Sequence, residues 1–96
     1  MTHRELLSAV RVLGLGERAT LAEIKDRYRT LVKRHHPDGG GAEDAVDIYR
    51  IIEANKLVME YVSSYRYGFS EQEYLVQDPE ERLRRRFTTD PLWEKG

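Results

Sequence analysis

The stretch Leu21-Ala22-Glu23-Ile24-Lys25-Asp26-Arg27-Tyr28-Arg29-Thr30-Leu31-Val32-Lys33-Arg34-His35-His36-Pro37-Asp38-Gly39-Gly40-Gly41 decides how this sequence is read. At about 100° per residue, Leu21, Ile24, Tyr28, Leu31, Val32 and His35 fall in one arc of a helix. Lys25, Arg29 and Lys33 recur every four residues and form a row beside that arc. Arg27 and Arg34 stack on the far side. One helix thus offers an apolar face to a partner helix and a basic face to solvent. The run then stops. Pro37 biases His36 away from helical geometry, and Asp38 can accept from nearby backbone N–H groups to hold a tight turn. The glycines that follow permit the positive φ angles with which a chain reverses direction. His36, Pro37 and Asp38 are therefore expected at the tip of an antiparallel helix pair, next to a basic face.

Helix signals continue on both sides. Thr2-x-x-Glu5 and Thr20-x-x-Glu23 read as capping boxes, and Ser70-x-x-Glu73 has the same form. Asp78-Pro79-Glu80-Glu81 is a fourth start, with Asp78 as cap and Pro79 at the first helical position. Stops fall at Gly14 or Gly16, at Gly39-Gly40-Gly41 and at Gly68. A first helix is expected from His3 to Leu13, buried through Leu6, Leu7, Val10 and Leu13. The second is expected from Leu21 to His35. A third is expected to start near Ala42 and to reach toward Tyr67, with a stripe of Ala45, Ile48, Ile51, Ile52, Asn55, Val58, Met59 and Val62. Leu57, Tyr61 and Tyr65 suggest a second apolar face late in that helix, which needs a second partner. Tyr74, Leu75, Leu83, Phe87, Leu92 and Trp93 supply candidates. No strand alternation of useful length is present.

Composition excludes several classes. The chain has 96 residues, 40% hydrophobic and 34% charged, which is too apolar for a disordered chain and too charged for a membrane one. No apolar run approaches the roughly 20 residues of a bilayer span. Met1 to Glu5 has an early acid and no apolar core, unlike a signal peptide. With no cysteine, neither a disulfide framework nor a cysteine zinc site can form, which fits a reducing cytoplasm. His3, His35, His36 and Asp38 lack the spacing of a metal site, and no nucleophile accompanies His36 and Asp38 as a catalytic pair would require. No cofactor is implied.

The pattern resembles the J-domain family, for which His36-Pro37-Asp38 is the marker tripeptide. Its surroundings make the likeness specific. Val12-Leu13-Gly14-Leu15 looks like the family's helix-ending motif. Ile24-Lys25-x-x-Tyr28-Arg29-x-Leu31-x-x-Arg34 runs into His36-Pro37-Asp38 in the family's order and spacing. Ile51-Ile52-Glu53-Ala54-Asn55-Lys56-Leu57-Val58 resembles its third-helix core. The likeness covers Arg4 to Val62. It implies an all-α J-domain: an antiparallel second and third helix with the His-Pro-Asp loop, a short N-terminal helix and further C-terminal helices. Residues 1–67 would form the J-domain with an extended third helix, and 68–96 a helical extension packed on it.

The resemblance also implies a function. Such proteins are co-chaperones rather than enzymes, and the lack of cysteine makes the cytoplasm the expected location of this one. They bind the ATP state of a DnaK-type heat-shock chaperone, at the cleft between its two domains and their linker, and stimulate ATP hydrolysis. His36, Pro37 and Asp38 would be the trigger, and Lys25, Tyr28, Arg29, Lys33 and Arg34 the docking residues. Departures are informative. Thr30 stands where many members carry a basic residue, and Asn55 where an aromatic is usual. About 19 residues separate Val58 from Asp78, where most members place the fourth helix almost at once. No Gly/Phe-rich stretch or separate client-binding module is present, so the resemblance implies a nearly bare J-domain that chooses a client in another way, with the C-terminal extension as the candidate. Two other readings stay open. One is a degenerate J-like adaptor that binds a partner but does not trigger hydrolysis. The other is a small nucleic-acid-binding helical domain, supported by the basic second helix and Arg84-Arg85-Arg86 but opposed by a net charge of −1.

Overall fold

The computed structural model describes residues 1–35 and 42–88, without the side chains of residues 42–44, 82 and 85–88. The His36-Pro37-Asp38 loop, its glycines, and Leu92 and Trp93 lie outside the described residues, as does the side chain of Phe87. Among the described residues five helices follow one another: α1 (His3–Leu13), α2 (Leu21–Arg34), α3 (Ala42–Ser63), α4 (Glu71–Gln77) and α5 (Pro79–Thr88). The all-helical architecture is that of the J-domain fold. The chain divides into two compact units, Met1–Tyr65 and Arg66–Gly96.

In the first unit, local chemistry fixes where helices begin and end. Thr2 Oγ1 accepts from the Glu5 N–H at 3.1 Å while the Glu5 carboxylate accepts from the Thr2 N–H at 3.1 Å. Thr20 and Glu23 repeat the exchange at the start of α2. Each box satisfies donors that a helix start leaves without partners. α1 stops at Gly14, which adopts φ 69°, ψ 31°. Its N–H donates to the Arg11 carbonyl, and the Leu15 N–H donates to the Val10 carbonyl, both at 3.0 Å. That pair of bonds is a Schellman closure, and it needs a residue at ease with positive φ. Leu15 then folds back onto the core.

The core is formed by Ala9 and Leu13 of α1, Ile24 and Leu31 of α2, and Ile51, Ala54 and Val58 of α3. Leu13 is completely buried. Each large side chain withdrawn from water contributes about 1.5–3 kcal/mol. α1 lies along α3 more extensively than α2 does among the described residues. Two expectations shift here. Ala9, not Leu7, completes the α1 stripe, and Leu7 stays exposed. In α3 the stripe centres on Ile51, Ala54 and Val58, with Ala45 exposed and Leu57 packed against the same core. Alanine at these positions suits a close approach of helices.

α3 ends at Ser63, short of Tyr67. The hydroxyls of Ser63 and Ser64 both donate to the Glu60 carbonyl, at 3.2 and 2.9 Å, and Ser64 also reaches the Tyr61 carbonyl. The Ser64 N–H still closes on the Glu60 carbonyl at 3.3 Å. The helical ladder breaks one residue later, where the Tyr65 N–H donates to the Val62 carbonyl and the Tyr61 carbonyl is left to the Ser64 hydroxyl. Tyr61 and Tyr65 meet edge to face, with ring centroids 5.8 Å apart.

In the second unit, Ser70 Oγ accepts from the Glu73 N–H at 3.1 Å and opens α4. Asp78 ends α4 and begins α5. Its N–H donates to the Tyr74 carbonyl, its Oδ1 accepts from the Glu81 N–H at 3.1 Å, and its Oδ2 accepts from the Tyr74 hydroxyl at 3.3 Å. No residue of this unit whose side chain is described is buried.

Candidate functional site

The site is built on α2. Its inner arc is held by burial: Ile24 and Leu31 are in the core, with Tyr28 and Val32 half-buried against it. That anchoring turns the opposite side of the helix outward. Lys25, Arg29, Lys33 and Arg34 are all exposed. The expected docking residues of α2 therefore share a helix whose orientation the core dictates. Leu21, expected on the inner arc, is largely exposed at the helix start.

α2 and α3 run antiparallel, as two sets of neighbours show. At one end, His35 Nδ1 lies 3.8 Å from Asp47 Oδ2. Further along, Lys25, Tyr28 and Arg29 line an open groove of about 310 Å³ together with Asn55 and Met59. The late part of α2 thus meets the early part of α3, and the early part of α2 meets the late part of α3. His35 directly precedes His36-Pro37-Asp38 in sequence, and its contact with Asp47 joins the end of α2 to the early part of α3. The contact is an ion pair only when the imidazole is protonated.

Arg27 departs from the periodic reading, which set it with Arg34 on the solvated far side. It is half-buried, and its Nε donates to the Leu13 carbonyl at 2.8 Å. It thereby satisfies an orphan carbonyl at the negative end of α1. A Cβ at Gly14 would lie 2.9 Å from Arg27 Nη2, so the glycine also makes room for the guanidinium. Arg27 is therefore a structural link between α1 and α2. Its partner lies 14 positions away in sequence, beyond the reach of helix periodicity.

Among the described residues, no group of His, Asp and Glu side chains converges as a metal site would require. No described helix is long and apolar enough to cross a membrane.

Comparison with known proteins agrees with this geometry. The family model of the DnaJ domain matches residues 10–62, more than half the chain. The chain belongs to the DnaJ domain family. An uncharacterized 19.0 kDa protein from Sinorhizobium sp. is 54% identical over 35 residues, covering 36% of this chain and 20% of that protein. The chaperone protein DnaJ of Bacillus mycoides is 40% identical over 42 residues, covering 44% of this chain and 11% of the relative. DnaJ of Bacillus cereus strain B4264 gives the same figures. The chain thus spans a fifth or less of the length of these relatives. No solved structure matches it.

Proposed function

We propose that this protein is a cytoplasmic co-chaperone, not itself an enzyme, that binds the ATP state of a DnaK-type heat-shock chaperone and stimulates its ATP hydrolysis. The observation that carries this reading is the exposed basic row Lys25, Arg29 and Lys33 on a helix whose opposite arc is fixed in the core and whose chain continues into His36-Pro37-Asp38. Membership of the DnaJ domain family supports the choice of partner. Lys25, Arg29, Lys33 and Arg34 steer encounter with an acidic surface, and Tyr28 adds its half-buried ring beside them. Charges of this kind act on association rate and orientation more than on final affinity. His36, Pro37 and Asp38 supply the trigger. For that they must bind one chaperone state better than the other, since a ligand shifts an equilibrium only by its differential affinity.

Charge reversal tests the docking face. Lys25→Glu with Arg29→Glu is expected to slow association with the ATP-state chaperone about tenfold or more at low salt, with helical content unchanged. The wild-type association rate is expected to fall as salt rises. An association rate indifferent to both salt and charge reversal would remove the basic row from the mechanism.

The choice of a client or adaptor rests on a different observation, and it is distinct from the reading of a degenerate adaptor that does not trigger hydrolysis. Tyr67, Phe69, Tyr74 and Leu83 are exposed in the unit Arg66–Gly96, and Phe69 is 94% exposed. Large exposed apolar side chains gathered in one short unit are candidates for an interaction site. We assign to them the choice of a client or adaptor, a role that stands beside chaperone docking and does not replace it.

A further inference from the structure

We propose that the outer face of α3 pairs with the same face of a second copy of this chain, as an antiparallel helix pair about a two-fold axis level with residue 55. The pairing stands apart from chaperone docking and uses a different side of α3.

At about 100° per residue, Val46, Tyr49, Arg50, Glu53, Glu60 and Tyr61 fall in one arc of α3 roughly 120° wide. Ile51, Ala54 and Val58, which face the core, lie outside it. Asn55 and Met59, which line the groove against α2, lie roughly opposite. Val46, Tyr49 and Tyr61 are exposed. Singly, such side chains need no explanation. Three on one arc of one helix, set among charges of both signs, have the make-up of a helix-pairing seam.

Charge identifies the occupant. Arg50 and Glu60 are exposed, and neither makes an ion pair among the described residues. They stand about 15 Å apart along the helix axis, at about 1.5 Å per residue, and equally far from residue 55. In an antiparallel pair centred there, Arg50 of each copy comes level with Glu60 of the other. Tyr49 likewise comes level with Tyr61. A two-fold contact must be self-complementary, with residue i meeting j and j meeting i, and this face carries its own complement. Glu53 sits between the two levels with its carboxylate already 3.3 Å from Lys56 Nζ, so it adds no unpaired charge to the seam. A parallel pair would set Arg50 against Arg50 and Glu60 against Glu60, and like charges oppose that arrangement.

The antiparallel pair leaves the basic row of α2 open on each copy, because α2 packs on the other side of α3. The contact is at the low end of interface sizes, which sets its expected affinity in the micromolar range.

Sedimentation equilibrium of the full chain from about 1 µM to about 1 mM tests the pairing. The average mass is expected to rise from one copy toward two. Arg50→Glu and Glu60→Arg are each expected to weaken association about tenfold or more, with helical content unchanged. The double variant restores opposite charges at both contacts, as does an equimolar mixture of the two single variants, and both are expected to recover association. A merely structural role for either residue would give no such recovery. A chain that stays single throughout this range overturns the proposal. So does association that ignores both charge reversals, or that is lost in Arg50→Glu and not recovered in the double variant. Association abolished by Phe69→Ala but indifferent to Arg50→Glu would place the contact in the unit Arg66–Gly96 and overturn it as well.

Discussion

The units Met1–Tyr65 and Arg66–Gly96 use the same helix-starting chemistry and reach different outcomes. Thr2 and Thr20 begin α1 and α2, as Ser70 and Asp78 begin α4 and α5. Among the residues whose side chains are described, the first unit buries seven apolar residues and the second none. Caps contribute about 1 kcal/mol each, which is enough to set boundaries and too little to order a chain against its conformational entropy. Helices of 7 and 10 residues, like α4 and α5, are below the length that stands alone in water. Burial makes the first unit a rigid platform, and the platform is what aims the basic row of α2. The second unit leaves Tyr67, Phe69 and Tyr74 open to solvent and thus available to a partner.

Core truncation should separate the units most sharply. Leu13→Ala removes a fully buried side chain and is expected to destabilise the fold by about 2–5 kcal/mol in denaturant titrations. In a domain of this size such a loss approaches the whole stability. A change below about 1 kcal/mol would mean that Leu13 is not the centre of the core.

A smaller effect is expected at the junction of α1 and α2. Gly14→Ala forces a side chain into positive φ and toward Arg27, for an expected loss of about 1–2 kcal/mol. Arg27→Ala should add little to it, because both changes disturb one contact. Additive losses in the double variant would show that Gly14 and Arg27 act separately.

The smallest effect is expected in the second unit. Phe69→Ala and Tyr74→Ala alter exposed side chains and should change thermal stability by less than about 0.5 kcal/mol. Any consequence should appear in binding of a client or adaptor. A large stability loss would show that these aromatics are structural and would break the contrast between the units.

Much of this was legible in the residues because it is local. Capping boxes span four positions, and the α1 and α2 boundaries follow from them with Gly14 and Pro37. The exposed row Lys25, Arg29 and Lys33 follows from helix periodicity once the opposite arc is apolar. What escaped is tertiary or small. Ala9 and Ala54 are buried, yet an apolar stripe drawn from large residues passes over alanine. On the α3 wheel, at about 100° per residue, Leu57 lies about 160° from Asn55 but only about 60° from Ala54, so a stripe of large residues centred on Asn55 leaves it out. Arg27 reads as one more solvated cation until α1 brings a carbonyl to it. The end of α3 falls where the Tyr65 N–H donates to the Val62 carbonyl instead of the Tyr61 carbonyl, which the Ser64 hydroxyl takes, a choice that no residue pattern announces.

The most direct test is single-turnover ATP hydrolysis by a DnaK-type chaperone with the wild-type chain and with Asp38→Asn. The wild-type chain is expected to accelerate hydrolysis, and Asp38→Asn to abolish the acceleration with helical content and melting temperature unchanged. A chaperone that hydrolyses ATP at the same rate with and without the wild-type chain would contradict the account.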